Sequence, residues 1–312
     1  MILEPLREDV VTTADGRTLG FAEYGDPMGD PVFWFHGTPG ARRQLPPETA
    51  VEAQARGLRV IGVDRPGTGN SSSYAYETVV EFAPDIEELA DGLGLAQFAC
   101  VGLSGGGPFV LACAHQLPQR VVVGAVLGGV GPTRGQERAP GYTGLFPLSE
   151  PFLALAREPL GRVVTALARI SRPMASCFYD GYVRFGPETD RAQLRRPEMK
   201  AMFLDDLSRA MEGGLEAPVS DLLLFSRPWG FRLEKIQVPI FFWQGEKDLV
   251  VPPSHGPHQA SLVKNSRFTV VAGEGHFAGF ANVGEVLEAV RGEWDKRLEL
   301  SSVRNGNGMR HN

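Results

Sequence analysis

The chain has 312 residues, 43% of them hydrophobic and 22% charged, with a formal net charge of −6. These are the proportions of a soluble globular protein, and the acidic balance, with no run rich in Lys or Arg, argues against nucleic acid or an anionic membrane as partner. Three cysteines, Cys100, Cys113 and Cys177, form an odd set without C-x-x-C spacing; this argues against a disulfide framework or a zinc site and fits a reducing, cytoplasmic compartment.

Met1 to Asp9 carries acids and a proline where a signal peptide needs an apolar segment. The longest apolar run, Val121 to Gly131, falls far short of the roughly 20 residues of a membrane span. Val10 to Thr13 and Thr18 to Tyr24 bracket Asp15-Gly16 and predict an opening hairpin. Val32-Phe33-Trp34-Phe35 and Val60-Ile61-Gly62-Val63 have the unbroken apolar character of strands buried on both faces. Each ends in a glycine-rich turn, His36-Gly37-Thr38-Pro39-Gly40 and Asp64 to Ser71, and Glu48 to Arg56 predicts a helix between them. Ile86, Leu89, Ala90 and Leu93 recur at helical spacing, with Pro84 in the first turn or at a kink.

The next stretch organises the rest. Phe98 to Leu103 is an apolar strand that runs into Ser104-Gly105-Gly106-Gly107-Pro108 and then into a helix with Val110, Leu111, Ala114 and Leu117 on one face. Strand, G-x-S-x-G and helix together make a nucleophile elbow, in which Ser104 sits on a strained turn and Gly102 and Gly106 clear the side chains that would collide there. Val121 to Val130 predicts another buried strand. From Thr133 to about Gly230 only helical stretches follow, Phe152 to Ile170 and Lys200 to Met211 among them, broken by several prolines. Strands resume at Ile240-Phe241-Phe242-Trp243 and Phe268-Thr269-Val270-Val271, and Asn282 with Glu285 predicts the cap of a last helix before a disordered tail from Ser301. Strands alternating with helices imply a mostly parallel α/β sheet: residues 1–132 and 231–312 form the core, 133–230 a helical insertion and 301–312 the tail.

A serine hydroxyl needs a base and the base an orienting acid, in the order Ser, Asp, His on such a scaffold, each at the carboxyl end of a strand. After Ile240–Trp243 comes Gln244-Gly245-Glu246-Lys247-Asp248, and after Phe268–Val271 comes Ala272-Gly273-Glu274-Gly275-His276. Asp248 and His276 are therefore the predicted partners of Ser104, with Glu246 the rival acid. The N–H of Gly105 and that of Thr38, or else of Gly37, are the predicted oxyanion donors. His36 is read as shaping its turn and His115 as a helix-surface residue, while His255 and His258 lack a third ligand for a metal. Neither a metal nor an organic cofactor is required.

With H-G-T-P-G, D-R-P-G-T-G-N-S, G-L-S-G-G-G-P, E-K-D-L-V-V-P and G-E-G-H-F spread along it, the chain resembles the α/β-hydrolase superfamily from its first strands to its last helix. The resemblance implies a largely eight-stranded sheet with helices on both faces and a helical cap, residues 133–230, over the active site. It further implies a serine hydrolase acting on a small or medium acyl ester, a small-molecule substrate, and a chain compatible with a homodimer. Serine at the elbow argues against epoxide hydrolase and haloalkane dehalogenase chemistry, which use aspartate there. His36–Gly40 and Asp64–Ser71 also resemble proline iminopeptidase-like enzymes, in which cap carboxylates would have to pair with a substrate ammonium; Asp205, Asp206, Glu212 and Glu216 are the available acids. Carbon–carbon bond hydrolysis, cofactor-free peroxidase chemistry and a ligand-binding receptor are further alternatives. Pocket shape is expected to depend on Phe152, Phe178, Tyr179, Tyr182, Phe203 and Trp229.

Overall fold

A computed structural model describes residues 3–141, 175–185, 188–212, 214 and 216–308. Eight strands form one sheet in the order β1-β2-β4-β3-β5-β6-β7-β8. They are β1 (Arg7–Thr12), β2 (Thr18–Gly25), β3 (Asp30–Phe35), β4 (Leu58–Val63), β5 (Phe98–Leu103), β6 (Val121–Leu127), β7 (Ile240–Gly245) and β8 (Ser266–Val271). Only β2 runs against its neighbours, pairing antiparallel with β1 and β4; all other pairs are parallel. The expected hairpin is therefore present, followed by crossovers through helices.

Alternation within the strands divides the core between two faces. Phe33, Phe35, Ile61, Phe98 and Cys100 point to one side, against α2 (Phe82–Gly92) and α3 (Gly107–Gln116). Val32, Trp34, Val60, Ala99 and Val101 point to the other, against α1 (Thr49–Ala55) and the terminal helix. Because both faces are covered, β5, β6 and β7 are buried along their whole length, which is why they read as unbroken apolar runs. Each large side chain so enclosed contributes about 1.5–3 kcal/mol.

Between β6 and β7 lies the insertion, whose described helices are α4 (Ala175–Phe185), α5 (Glu188–Leu194), α6 (Pro197–Ala210) and α7 (Glu216–Phe225). The predicted helix Phe152 to Ile170 lies outside the described residues, as does the side chain of Cys177. The core resumes with α8 (His255–Leu262), α9 (Ala278–Ala281) and α10 (Val283–Gly308), the last of which includes the beginning of the segment read as a tail. Asn282 separates α9 from α10, and its amide donates back to the Ala278 carbonyl at 2.8 Å. The side chain thus closes the shorter helix, a use that its spacing to Glu285 does not reveal. No helix among the described residues is long and apolar enough to cross a membrane.

Candidate active site

The turns singled out above after β3, β4, β5, β7 and β8 each lie at the carboxyl end of a strand with a parallel neighbour. Ser104 follows β5 and has φ of 52°, the one positive value at a non-glycine position among the described residues. The strain exposes its hydroxyl, and a methylene at Gly106 would overlap the Phe35 carbonyl, so the turn closes only with glycine there. Asp248 follows β7 and is buried. Its Oδ1 accepts the N–H groups of Val250 and Val251 at 2.8 and 2.9 Å. Its Oδ2 accepts from Gln244 Nε2 at 2.7 Å and from His276 Nδ1 at 2.8 Å. Glu246 instead turns to the Gly273 N–H at 2.8 Å, which leaves Asp248 as the acid on the histidine.

Ser104 and His276 line one cavity of about 320 Å³ together with Gly37 and Thr38. A methylene at Gly105 would overlap the Thr38 hydroxyl, so the two residues predicted to supply the oxyanion donors are immediate neighbours. Gly37 is the weaker candidate, because its N–H already donates to Gln44 Oε1 at 2.6 Å; the Thr38 N–H has no acceptor among the described residues. The rest of the wall is largely apolar: Leu103, Val250 and Phe277 from the core and Leu194, Phe203, Leu204 and Leu207 from the insertion. Tyr179 joins them, with its hydroxyl committed to the Leu194 carbonyl at 2.7 Å. Phe152 and the side chains of Phe178 and Tyr182 lie outside the described residues, whereas Trp229 packs in the main core beside Phe231.

The loop of Gly37 and Thr38 is held from behind. His36 is fully enclosed, and burial with the nearby Arg65 cation depresses its pKa well below the usual value, so the ring is neutral. Its Nδ1–H donates to the Gly37 carbonyl at 2.7 Å and its Nε2 accepts the Arg65 N–H at 3.3 Å, in keeping with a turn-shaping role. The Arg65 guanidinium, stacked 4.9 Å from the Phe109 ring centroid, donates to the carbonyls of His36 and Gly37 and to the Thr38 hydroxyl. It also pairs with Asp221 of α7 at 2.6 Å.

Sequence reasoning missed Arg65, Gln44, Gln244, Asp190 and Asp221, and weighed Asp206 only as a partner for a substrate ammonium. Asp206 is fully buried and accepts the N–H groups of Ala41 and Arg43 at 3.0 and 3.2 Å, while burial pushes its carboxyl well above the usual range against those bonds. Asp205 pairs with Arg209 at 3.0 Å, and neither Glu212 nor Glu216 lines the cavity. His115, expected at the surface, is half-buried with its ring 5.1 Å from that of Phe231. The imidazoles of His255 and His258 are engaged separately, the first accepting from the Gly131 N–H at 2.9 Å and the second bonded to the Glu137 carbonyl at 2.8 Å.

A profile of the alpha/beta hydrolase fold matches residues 30–283. The chain belongs to the α/β-hydrolase fold family. Within this family, proline iminopeptidase from Neisseria gonorrhoeae is 31% identical over 141 residues, 44% of each chain, so this chain spans under half the length of that relative. The bifunctional esterase/perhydrolase DCH of Acinetobacter calcoaceticus is 26% identical over 269 residues, covering 85% of this chain and 92% of that one. Among solved structures, the enol-lactonase from Burkholderia xenovorans LB400 aligns with a TM-score of 0.68 at 18% identity, over 92% of this chain and 100% of that one. At that identity the likeness concerns the α/β-hydrolase fold alone.

Proposed function

We propose that this α/β-hydrolase is a serine hydrolase that cleaves small or medium acyl esters. The observation that carries the reading is the convergence on one cavity of Ser104, on its strained elbow, and His276, itself bonded to Asp248 at 2.8 Å. In the reaction, His276 Nε2 takes the hydroxyl proton as Ser104 attacks the ester carbonyl, and Asp248 holds Nδ1–H and steadies the imidazolium. The N–H groups of Thr38 and Gly105 receive the oxyanion. His276 then returns the proton to the leaving alkoxide, and water, activated by the same ring, hydrolyses the acyl-enzyme. Residues 133–230 act as the cap that walls the substrate.

The described cavity wall favours an ester over a peptide with a free amino terminus. Among the described residues no carboxylate lines it, so a substrate ammonium would be desolvated without a partner. Similarity to an esterase/perhydrolase along most of the chain supports the same choice.

The test is fluorophosphonate labelling and turnover of p-nitrophenyl esters of increasing chain length, with wild type and Ser104→Ala. Labelling and turnover by wild type alone are expected. Equal turnover by a folded Ser104→Ala protein overturns the mechanism, and cleavage of prolyl anilides in preference to every ester overturns the substrate class.

A further inference from the structure

The loop that carries His276 is held by the insertion. The N–H groups of His276 and Phe277 end on a single carboxylate, with Asp190 Oδ2 3.0 Å from the first nitrogen and Oδ1 3.1 Å from the second. Successive amides converging in this way form an anion-binding concavity. Its occupant is 1% exposed, comes from α5, and stands 86 residues before the histidine.

Gly275 accounts for the remaining letter of G-E-G-H-F. Its φ is not among the positive ones, so backbone freedom does not explain it. A methylene there would instead overlap all three atoms of the Asp190 carboxyl group. Glycine makes room for the acid.

We propose that Asp190 is a positioning residue, which sets the loop of His276 so that the general base takes its working place only while α5 is docked on the core. The inference rests on the serine hydrolase reading, in which His276 is that base. Two further acids of the insertion act on the opposite side of the site in the same manner. Asp206 bonds Ala41 and Arg43 and also receives Gln44 Nε2 at 3.3 Å, the residue whose other end holds Gly37. Asp221 receives the Thr38 hydroxyl at 2.7 Å. A cap built in this way assembles the catalytic loops as well as walling the substrate.

The experiment approaches one contact from both sides. Asp190→Asn keeps the shape of the side chain but turns an NH2 group toward one of the two amides. Gly275→Ala leaves Asp190 intact and evicts it from the loop. Each variant and the double variant are measured for kcat and KM on the best ester, for the rate of Ser104 labelling by a fluorophosphonate, and for hydrogen exchange at the amides of residues 276 and 277. Each single change is expected to lower kcat and the labelling rate about 10- to 100-fold, the loss caused by a displacement near 1 Å, with KM within about threefold. The double variant is expected to be no worse than the poorer single one, because both act through the same bonds. Exchange at both amides should accelerate in every variant.

The proposal is overturned if folded Gly275→Ala keeps kcat within about threefold of wild type, if KM rises while kcat stands, or if the two losses multiply. Should Asp190→Asn fail to fold, Gly275→Ala decides. Absence of labelling and ester turnover in wild type would instead sink the serine hydrolase reading. Hydrogen exchange then decides whether Asp190 holds the loop: acceleration in the variants upholds the contact, and an unchanged rate removes it.

Discussion

Replacing Asp221 by alanine isolates how far the insertion supports the loop of Gly37 and Thr38. The Arg65 and Asp221 side chains are 3% and 12% exposed and meet at 2.6 Å, so the change strands a cation in the interior. Breaking such a pair from one side costs about 3–5 kcal/mol. Arg65 keeps three neutral acceptors, at His36, Gly37 and Thr38, and the face of Phe109, which puts the loss near the lower end of that range. With an unfolding entropy of about 2.1 cal/mol/K per residue, a loss of about 3 kcal/mol lowers the melting temperature of this chain by about 5 °C. Turnover should fall by about tenfold as well, because the Thr38 hydroxyl loses its acceptor and the neighbouring N–H loses its fixed direction. Paired replacement, Arg65→Met with Asp221→Leu, removes the stranded charge; it should recover much of the stability and none of the turnover. The assays are a thermal melt and ester kinetics on the three variants. A melting temperature within about 1 °C of wild type for Asp221→Ala, or unchanged turnover, refutes the reasoning.

Three other outcomes are open to direct measurement. Asp248→Asn should lower kcat about 10³- to 10⁴-fold with little change in KM, since the amide can keep the bonds of Val250 and Val251 but cannot steady an imidazolium; steady-state kinetics decides. Phe203→Ala removes the ring packed 5.4 Å from Phe277, lengthening the cavity. The preferred p-nitrophenyl ester should grow by two or more carbons at a stability cost of about 2 kcal/mol, as read by a chain-length series and a melt. Burial lowers the pKa of His255 from 6.5 to about 4. The unfolded chain therefore binds the proton first, so stability is intact above pH 6.5 and declines as pH falls toward 4, with His36 acting in the same direction. The unfolding free energy from urea titrations should drop across that window by an amount on the order of 3 kcal/mol, and His255→Gln should flatten part of the slope.

The strands and the elbow were legible because their signal is local. A strand enclosed on both faces is an apolar run, and a strained serine needs its glycines within two positions. Asp248 could be placed because it follows such a strand directly, and His276 because it follows the short apolar run Phe268–Val271 of β8, although that edge strand is only partly enclosed. The supports behind them could not. Asp190, Asp206 and Asp221 occupy helices, where an acid facing water and one facing a loop on another element look the same in a single sequence. Their partners lie 86, 165 and 183 residues away. Arg65 was visible within its glycine-rich turn, yet nothing local reveals that its guanidinium gathers the preceding strand's loop. Among the acids weighed for a substrate ammonium, Asp206 is instead spent on backbone amides, a use that a count of charges in the insertion does not show.

The insertion leaves from β6 and returns to β7, and these two strands are direct neighbours, with Gly124 opposite Ile240 and Leu127 opposite Trp243. The Thr133 hydroxyl at the start of the excursion donates to the Phe225 carbonyl near its end, so the excursion closes on itself before the chain crosses to the opposite end of the strands, where β7 begins. It disturbs no strand register, and lengthening it costs little because closure entropy grows only logarithmically. Exchange of this segment between relatives is therefore cheap for the sheet. It is not cheap for the chemistry. A transplanted segment with a well-shaped pocket but without acids to replace Asp190, Asp206 and Asp221 would give a chimera that folds, binds ester and turns it over slowly. Those three positions are the graft's true junctions with its host.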